Sequence, residues 1–339
     1  MQITILGANT FLGEHLINAI DNNYHGFDKK LWNYNEKLEG LKEAIEGSDL
    51  PDLKELNKNN VEFHLSSTYL QCSTKWPNIF GRESEEKFLK ESPFNEYCTS
   101  KFMAEQLLRN NSDSKLSIVI TRVGPVYGEG DRHSLVCDSL LLNYYFGFVP
   151  RIGNHKDMGM LQFTYVGNVA VALIKVGEKL LYSSEHYPCE IVIICDNTPL
   201  YDFYTFFGQI YDLKEKMSAG EDLALEEKKT NEDEQNINIG NWAIPFWIFF
   251  LPYLFICWII QMSCSLFHFN SSLNKFPSPN LFYLLLRHWT FYCSYKLRVF
   301  FDFKPPYDWE TCLNRSRQYY SKLKVKNIDG PSWLPSTSH

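Results

Sequence analysis

The amino-terminal run Gln2-Ile-Thr-Ile-Leu6 reads as a buried strand, passes into Gly7-Ala-Asn-Thr-Phe-Leu-Gly13, and continues as an apolar helix from His15 to Ile20. A strand, a glycine-bearing turn and a helix in that order leave little freedom. The backbone N–H groups of the turn and the positive end of the helix converge on one point, a cradle for a pyrophosphate. Further apolar runs at 61–66, 116–121 and 190–195 have the length and β-branched content of buried strands, separated by stretches that suit helical crossovers. The pattern predicts an α/β chain with a parallel sheet flanked by helices, smaller than a full seven-stranded one.

A second constraint is chemical. In Ser92-Pro-Phe-Asn-Glu-Tyr-Cys-Thr-Ser-Lys101, Tyr97 and Lys101 stand four residues apart, and on a helix that spacing stacks the two side chains on one face. A phenol with a pKa of about 10 becomes a usable base only when a cation beside it favours the phenolate, and Lys101 supplies one. Tyr292/Lys296 and Tyr320/Lys324 repeat the spacing, so context must choose among the three pairs. Ser67, at the end of the run Val61 to Thr68 and 30 residues before Tyr97, supplies it. Open α/β sheets place their ligands at the carboxyl ends of strands, where such a hydroxyl would sit.

Composition narrows the class. The chain has 339 residues, 45% of them hydrophobic, enough for one large domain or two, and a net charge of −7 that offers no footprint for nucleic acid. Nine cysteines, scattered without C-x-x-C pairs, fit reduced thiols, and no metal-ligand spacing is present. No secretory signal is evident at the amino terminus, so the N-x-S/T triplets at Asn110, Asn270 and Asn314 are read as chance.

Taken together, Ser67, Tyr97 and Lys101 resemble the catalytic set of the extended short-chain dehydrogenase/reductases. Arg122-Val-Gly-Pro-Val-Tyr-Gly-Glu-Gly-Asp-Arg132, Phe163-Thr-Tyr-Val-Gly-Asn-Val-Ala170, Cys195-Asp-Asn-Thr-Pro199 and Phe303-Lys-Pro-Pro-Tyr-Asp-Trp309 narrow the resemblance to the 3β-hydroxysteroid dehydrogenase/Δ5-4 isomerase family. It implies a Rossmann-like, doubly wound parallel sheet and NAD as cofactor. Gly7, Thr10, Phe11, Leu12 and Gly13 would hold the dinucleotide together with Tyr97 and Lys101. Thr10 stands where the family has its middle glycine, and Val123 where it has proline.

Two regions depart from an ordinary member. Between Gly13 and Ser67 the sequence reads as helix and loop, with Trp32 to Glu46 a polar helix and no second strand ending in an acid for the adenine ribose; the domain, residues 1–212, is read as shortened between 21 and 60. Residues 213–234 read as a charged linker. From Gln235 to Asn274 there is no Lys, Arg, Asp or Glu, and Ala243 to Met262 is apolar and aromatic, long enough to cross a bilayer on count alone. Residues 235–274 are accordingly read as a membrane-associated segment, 275–325 as a substrate region resembling the family's final segment, and 326–339 as a tail. A single crossing would separate that region from Tyr97, so a monotopic or re-entrant insertion with both flanks in the cytosol is preferred.

The resemblance implies oxidation of the 3β-hydroxyl of a steroid or sterol, with or without Δ5-4 isomerisation, at an endoplasmic reticulum or mitochondrial membrane. Tyr97 would take the alcohol proton, Lys101 would hold the phenolate and ribose hydroxyls, and Ser67 would bind the substrate oxygen; no isomerase residue is assigned. Two alternatives stay open, a non-catalytic member lacking much of the cofactor fold and a decarboxylating sterol-4-carboxylate dehydrogenase. Homodimerisation stays open too.

Overall fold

A computed structural model describes residues 2–6, 11–23, 28–32, 61–67, 78–83, 105–106, 109, 117–153, 158–182, 189–212, 237–267 and 279–331. In chain order the elements are β1 (Gln2–Leu6), α1 (Phe11–Asn23), β2 (Asp28–Trp32), β3 (Val61–Ser67), β4 (Asn78–Gly81), β5 (Ser117–Val123) and β6 (Val126–Tyr127). There follow α2 (Leu135–Phe146), β7 (Val149–Ile152), β8 (Thr164–Tyr165), α3 (Val166–Tyr182), β9 (Glu190–Ile194) and α4 (Phe203–Ile210). The last part holds β10 (Ile239–Ile244), α5 (Phe246–Phe267), α6 (Pro279–Arg287), β11 (Thr290–Tyr292), α7 (Tyr295–Phe300) and α8 (Trp309–Tyr320).

The four strands expected from the sequence are present and every ladder among the described residues is parallel, but β1 pairs with β2 and not with the sheet of the other three. β3, β5 and β9 form one sheet in that order, with Ser67 abreast of Val123 and Val123 abreast of Ile194. Side chains alternate along β5. Val119 and Val123 join Val192 and Ile194 under α3, whereas Ile118 and Ile120 pack with Ile191 on the other face. The apolar positions of α3, at Val166, Val169, Ala170, Leu173, Val176 and Leu180, recur every three or four residues, which is why this helix covers the sheet while Lys175 and Lys179 face water. α1 in turn lies on α3, with Leu16, Ile17 and Ile174 around the buried Ile20.

The amino-terminal half corrects the sequence reading in one respect. A second strand does exist: β2 pairs in parallel with β1, Gln2 opposite Asp28 and Leu6 opposite Trp32. Its five residues, Asp-Lys-Lys-Leu-Trp, are too polar to stand out as a buried strand, and pairing with β1 overrides their weak propensity. Trp32 therefore ends a strand and does not begin a helix. The rest of the interval expected to be helix and loop, residues 33–60, lies outside the described residues.

In the hydrophobic segment, the count of apolar residues does not translate into a spanning helix. No helix among the described residues is long and apolar enough to cross a membrane. α5 carries Pro252 inside it, and its continuous apolar part, Phe246 to Ile260, rises only about 22 Å against a hydrocarbon core of about 30 Å. Both flanks return to the body. Upstream, β10 pairs with β7; downstream, α6 packs Phe282 and Tyr283 against Phe246, Phe249, Phe250 and Tyr253. A close approach then pins the chain after α6: a Cβ on Gly159 would lie 2.5 Å from the carbonyl oxygen of His288, so only glycine fits.

Candidate active site

The site is best built outward from the carboxyl ends of β3, β5 and β9, where Ser67, Val123 and Ile194 stand side by side. Beyond Val123 the chain continues through Gly124 and Pro125. The Thr164 amide donates to the Pro125 carbonyl at 2.9 Å, and Gly124 runs so close to the Gln162 carbonyl that a Cβ would sit 3.0 Å from it. Thr164 is fully buried, and its hydroxyl, 3.9 Å from that same Cβ position, has no hydrogen-bond partner among the described residues. Beyond Ile194 comes Asp196, buried, which accepts from the Tyr165 amide, the Asn168 side-chain amide and the Thr198 amide, each at 2.9 Å. One carboxylate thus ties the start of α3 to the end of β9. On the same side, Tyr127 and Thr198 share a 3.0 Å hydroxyl contact, and burial pushes the Tyr127 phenol far above its ordinary range.

Opposite α3, Arg122 donates through Nε and a terminal nitrogen to the two oxygens of Glu105, at 3.1 and 2.5 Å, and both side chains are buried. Arg109 reaches the same carboxylate at 3.1 Å. Glu105 is a helical residue, four positions after Lys101 and eight after Tyr97. Its pairing fixes that point of the chain to the strand that lies beside Ser67. Tyr97, Lys101, Gly7 and Thr10 themselves lie outside the described residues, as does the side chain of Ser67.

Phe11, Leu12 and Gly13 form the first turn of α1, with Gly13 buried. Phe11 meets His15 edge-on at 5.7 Å, and His15 Nε2 donates to the Glu129 carbonyl at 2.6 Å. The loop after β6 therefore leans on the amino end of α1. Its other side is clamped by α8. Tyr320 donates to Asp131 at 2.6 Å and accepts from the Gly128 amide at 3.1 Å, while Tyr319 donates to the Asp131 carbonyl at 2.6 Å. Burial raises the Asp131 carboxyl above its ordinary range, opposed by donors from Ser134, Tyr320, the His133 amide and Cys137. Gly128, at φ +139°, is where this loop turns, and a Cβ there would strike Val166 at 2.6 Å.

Members of the two rival Tyr-x-x-x-Lys pairs are engaged elsewhere. Lys296 is held at the start of β9, donating to Glu190 at 2.6 Å and to the Ile191 carbonyl at 2.7 Å. Tyr320 is committed to Asp131 and fully buried, and its burial beside that carboxylate pushes its phenol well above the ordinary range. Neither pair is built to make a phenolate. The final segment does pack on the body as the sequence implied: Phe303 joins Val119, Val123 and Val169, and the Tyr307 amide donates to Asn168 at 3.1 Å. Glu105, Arg122, Asp196 and Thr164 were not anticipated. Arg122, Thr164 and Asp196 lie in the motifs that carry the resemblance, and Glu105 stands four residues from Lys101, but nothing in those runs showed these contacts.

Comparison with known proteins accords with this arrangement. The chain aligns with dTDP-glucose 4,6-dehydratase from Bacillus anthracis at TM-score 0.57 and 14% identity, covering 98% of each chain. UDP-glucuronic acid 4-epimerase from Bacillus cereus, solved with UDP-glucuronic acid and NAD, aligns at TM-score 0.55 and 12% identity over 97% of this chain and 100% of the other. UDP-glucose 4-epimerase from Thermus thermophilus, in complex with NAD, gives 0.57 and 13% over 94% and 99%. No curated protein sequence matches. The fold is thus the Rossmann-like α/β fold of the extended short-chain dehydrogenase/reductases. Residues 64–219 match the model of the 3-beta hydroxysteroid dehydrogenase/isomerase family.

Proposed function

We propose that this chain oxidises the 3β-hydroxyl of a steroid or sterol with NAD as cofactor. The observation that carries the reading is the family match over 64–219, which spans Ser67, Tyr97 and Lys101 in the family's order. In this reading Ser67 binds the substrate oxygen, Tyr97 removes the alcohol proton, and Lys101 holds the phenolate that does so. NAD supplies the hydride acceptor. Glu105, eight residues after Tyr97, is held to β5 by Arg122.

The residues fit a dinucleotide unequally. Gly13, buried in the first turn of α1, suits close approach of a pyrophosphate to a helix amino end. At the adenosine end, Asp28 opens β2 and Trp32 closes it, so the acid lies at the far end of the sheet from the glycine turn. The residue that follows Trp32 is Asn33, which cannot replace a ribose carboxylate in charge. This favours a second reading, a member with weakened or lost catalysis. A lipid surface is proposed as the source of substrate, with α5 lying on it without spanning it.

The test is NADH formation by the purified chain, with product analysis, offered a 3β-hydroxy-Δ5 steroid, a 4-carboxylated 3β-hydroxysterol and a panel of nucleotide sugars. Turnover of the first supports the reading, and turnover of the second with release of carbon dioxide supports the decarboxylating alternative. Turnover of nucleotide sugars alone overturns both. Folded protein without turnover on any substrate supports the non-catalytic reading.

A further inference from the structure

Outside the strand ends just described, the loop after β6, the exposed face of α8 and the turn Lys322 to Asn327 enclose a cleft of about 420 Å³ lined by Glu129, Arg132, Arg315, Tyr319, Lys322 and Asn327. The volume is that of a small-ligand pocket. Its walls are not loosely placed. Asp131 and Tyr320 join the loop to α8 through a buried hydrogen bond, the Asp329 amide donates to the Arg132 carbonyl at 3.0 Å, and His133 Nδ1 meets the Gly330 carbonyl at 3.2 Å.

The charge in this cleft is unusual for a chain of net charge −7. Arg132 comes from the loop after β6, and Arg315 and Lys322 from α8 and the turn that follows it; all three are solvent-exposed, and none has a carboxylate within ion-pair distance among the described residues. The lining holds one acid, Glu129, which keeps its charge but is tethered at the Tyr165 side, where the Tyr165 hydroxyl donates to its oxygens at 2.8 and 2.7 Å, so three cations stand against one carboxylate. Arg315 is held in place over the Tyr307 ring, 4.5 Å from the centroid. Two guanidinium groups and an ammonium around one opening, with the Gln318 and Asn327 side-chain amides in the same lining, make a receptor for a compact, multiply charged oxyanion.

We infer that this cleft binds a phosphate monoester, either a free phosphorylated metabolite or the headgroup of a phosphatidic lipid. The inference does not rest on the dehydrogenase reading, since none of the three cations belongs to the proposed catalytic set. Titration calorimetry on the full chain with inorganic phosphate and glycerol 3-phosphate, and flotation with phosphatidylcholine vesicles with and without phosphatidic acid, would test it. We expect binding of one source or the other. Arg132→Gln and Lys322→Gln should each weaken it about tenfold, and so should raising the salt from 0.05 to 0.5 M, roughly speaking, as befits exposed charges. Dependence seen with glycerol 3-phosphate identifies a soluble ligand; dependence seen only with phosphatidic acid identifies a lipid headgroup. Dissociation constants above about 10 mM for every probe, or binding unchanged in the double variant, overturn the inference. A thermal melt within a few degrees of wild type establishes that the variants are folded, so that a loss is read at the cleft.

Discussion

Arg122 and Glu105, 17 residues apart in sequence, meet through two buried hydrogen bonds of 3.1 and 2.5 Å, on the face of β5 opposite α3. A buried pair contributes modestly beyond an apolar replacement, but breaking it removes the carboxylate that Arg122 and Arg109 share. Glu105→Gln should therefore cost about 3 to 5 kcal/mol, and the double change Arg122→Met with Glu105→Leu should cost less than that single one. Denaturant midpoints check both. A Glu105→Gln loss below about 0.5 kcal/mol would mean the pair does not hold this part of the chain.

The choice of Tyr97 over its rivals can be tested by three matched substitutions. Tyr97→Phe should lower turnover by about 10² to 10⁴ and leave the melting temperature near wild type. Tyr292→Phe should leave turnover close to normal. Tyr320→Phe removes the donor to Asp131 and should lower stability by about 1 to 3 kcal/mol with turnover per folded molecule little changed. Equal loss of turnover at Tyr97 and Tyr292 would reject the assignment.

What the sequence disclosed and what it hid follow from the range of the interactions. β1, β3, β5 and β9 were legible because their apolar, β-branched runs carry the signal within a few residues. β2 was not, since Asp28-Lys-Lys-Leu-Trp32 becomes a strand only by pairing with β1. Ser67 could be placed at a strand end from its own run. Asp196, by contrast, owes its role to Tyr165 and Asn168, about 30 residues away in sequence, and no local pattern announces such a contact. In α5, a count of apolar residues likewise does not reveal that Phe246 and Phe250 belong to the protein core.

His288 gives a pH dependence with a definite sign. Burial lowers its pKa from 6.5 to about 4, and Nδ1 lies 2.8 Å from the Thr290 hydroxyl. Between those two values the unfolded chain takes up a proton that the folded chain refuses. This contribution to stability is therefore complete above pH 6.5 and is lost as pH falls toward 4, by up to about 3 kcal/mol. Stability measured from pH 7 to 4 should fall less steeply in His288→Asn than in wild type. Parallel curves would show that this ring does not titrate as stated.

Membrane attachment is expected through one face of α5. Ile248, Leu251, Phe255, Trp258, Met262 and Leu266 are all exposed and recur every three or four residues, an apolar stripe, while Phe246 and Phe250 face the core. Trp247, Leu254, Ile256 and Ile259 are exposed as well, so the apolar surface extends around most of the helix; at this length it is expected to lie in the interface and not to cross it. The chain should float with phosphatidylcholine vesicles, and Ile248→Ser, Phe255→Ser and Trp258→Ser should each weaken partitioning about tenfold, because each removes roughly 1.5 kcal/mol or more of apolar burial. Flotation that persists in the triple variant would assign attachment elsewhere.

The strand β2 restores part of the cofactor fold without restoring its chemistry. In doubly wound sheets the ribose 2′-hydroxyl is held by an acid about 20 residues past the glycine turn, at the carboxyl end of the second strand. Here the parallel register sets Leu6, which precedes the glycine turn, opposite Trp32, and sets Asp28 opposite Gln2 at the other end. Four residues of strand separate Asp28 from Trp32, about 13 Å, so this carboxylate cannot reach a ribose bound at the turn. The position in sequence that should carry the acid is Asn33. An amide can still accept one hydrogen bond, but it loses the charge-assisted pair, worth about twice a neutral one. NAD should accordingly bind with a dissociation constant near millimolar, about a hundredfold weaker than where the acid is present, and Asn33→Asp should recover at least tenfold of that affinity. The same change should disfavour NADP, whose 2′-phosphate would meet the new carboxylate. Titration of nucleotide fluorescence on both proteins decides the matter: low-micromolar NAD binding by the natural chain would show that the ribose is held by other residues, and no gain in Asn33→Asp would show that Asn33 does not stand at the ribose.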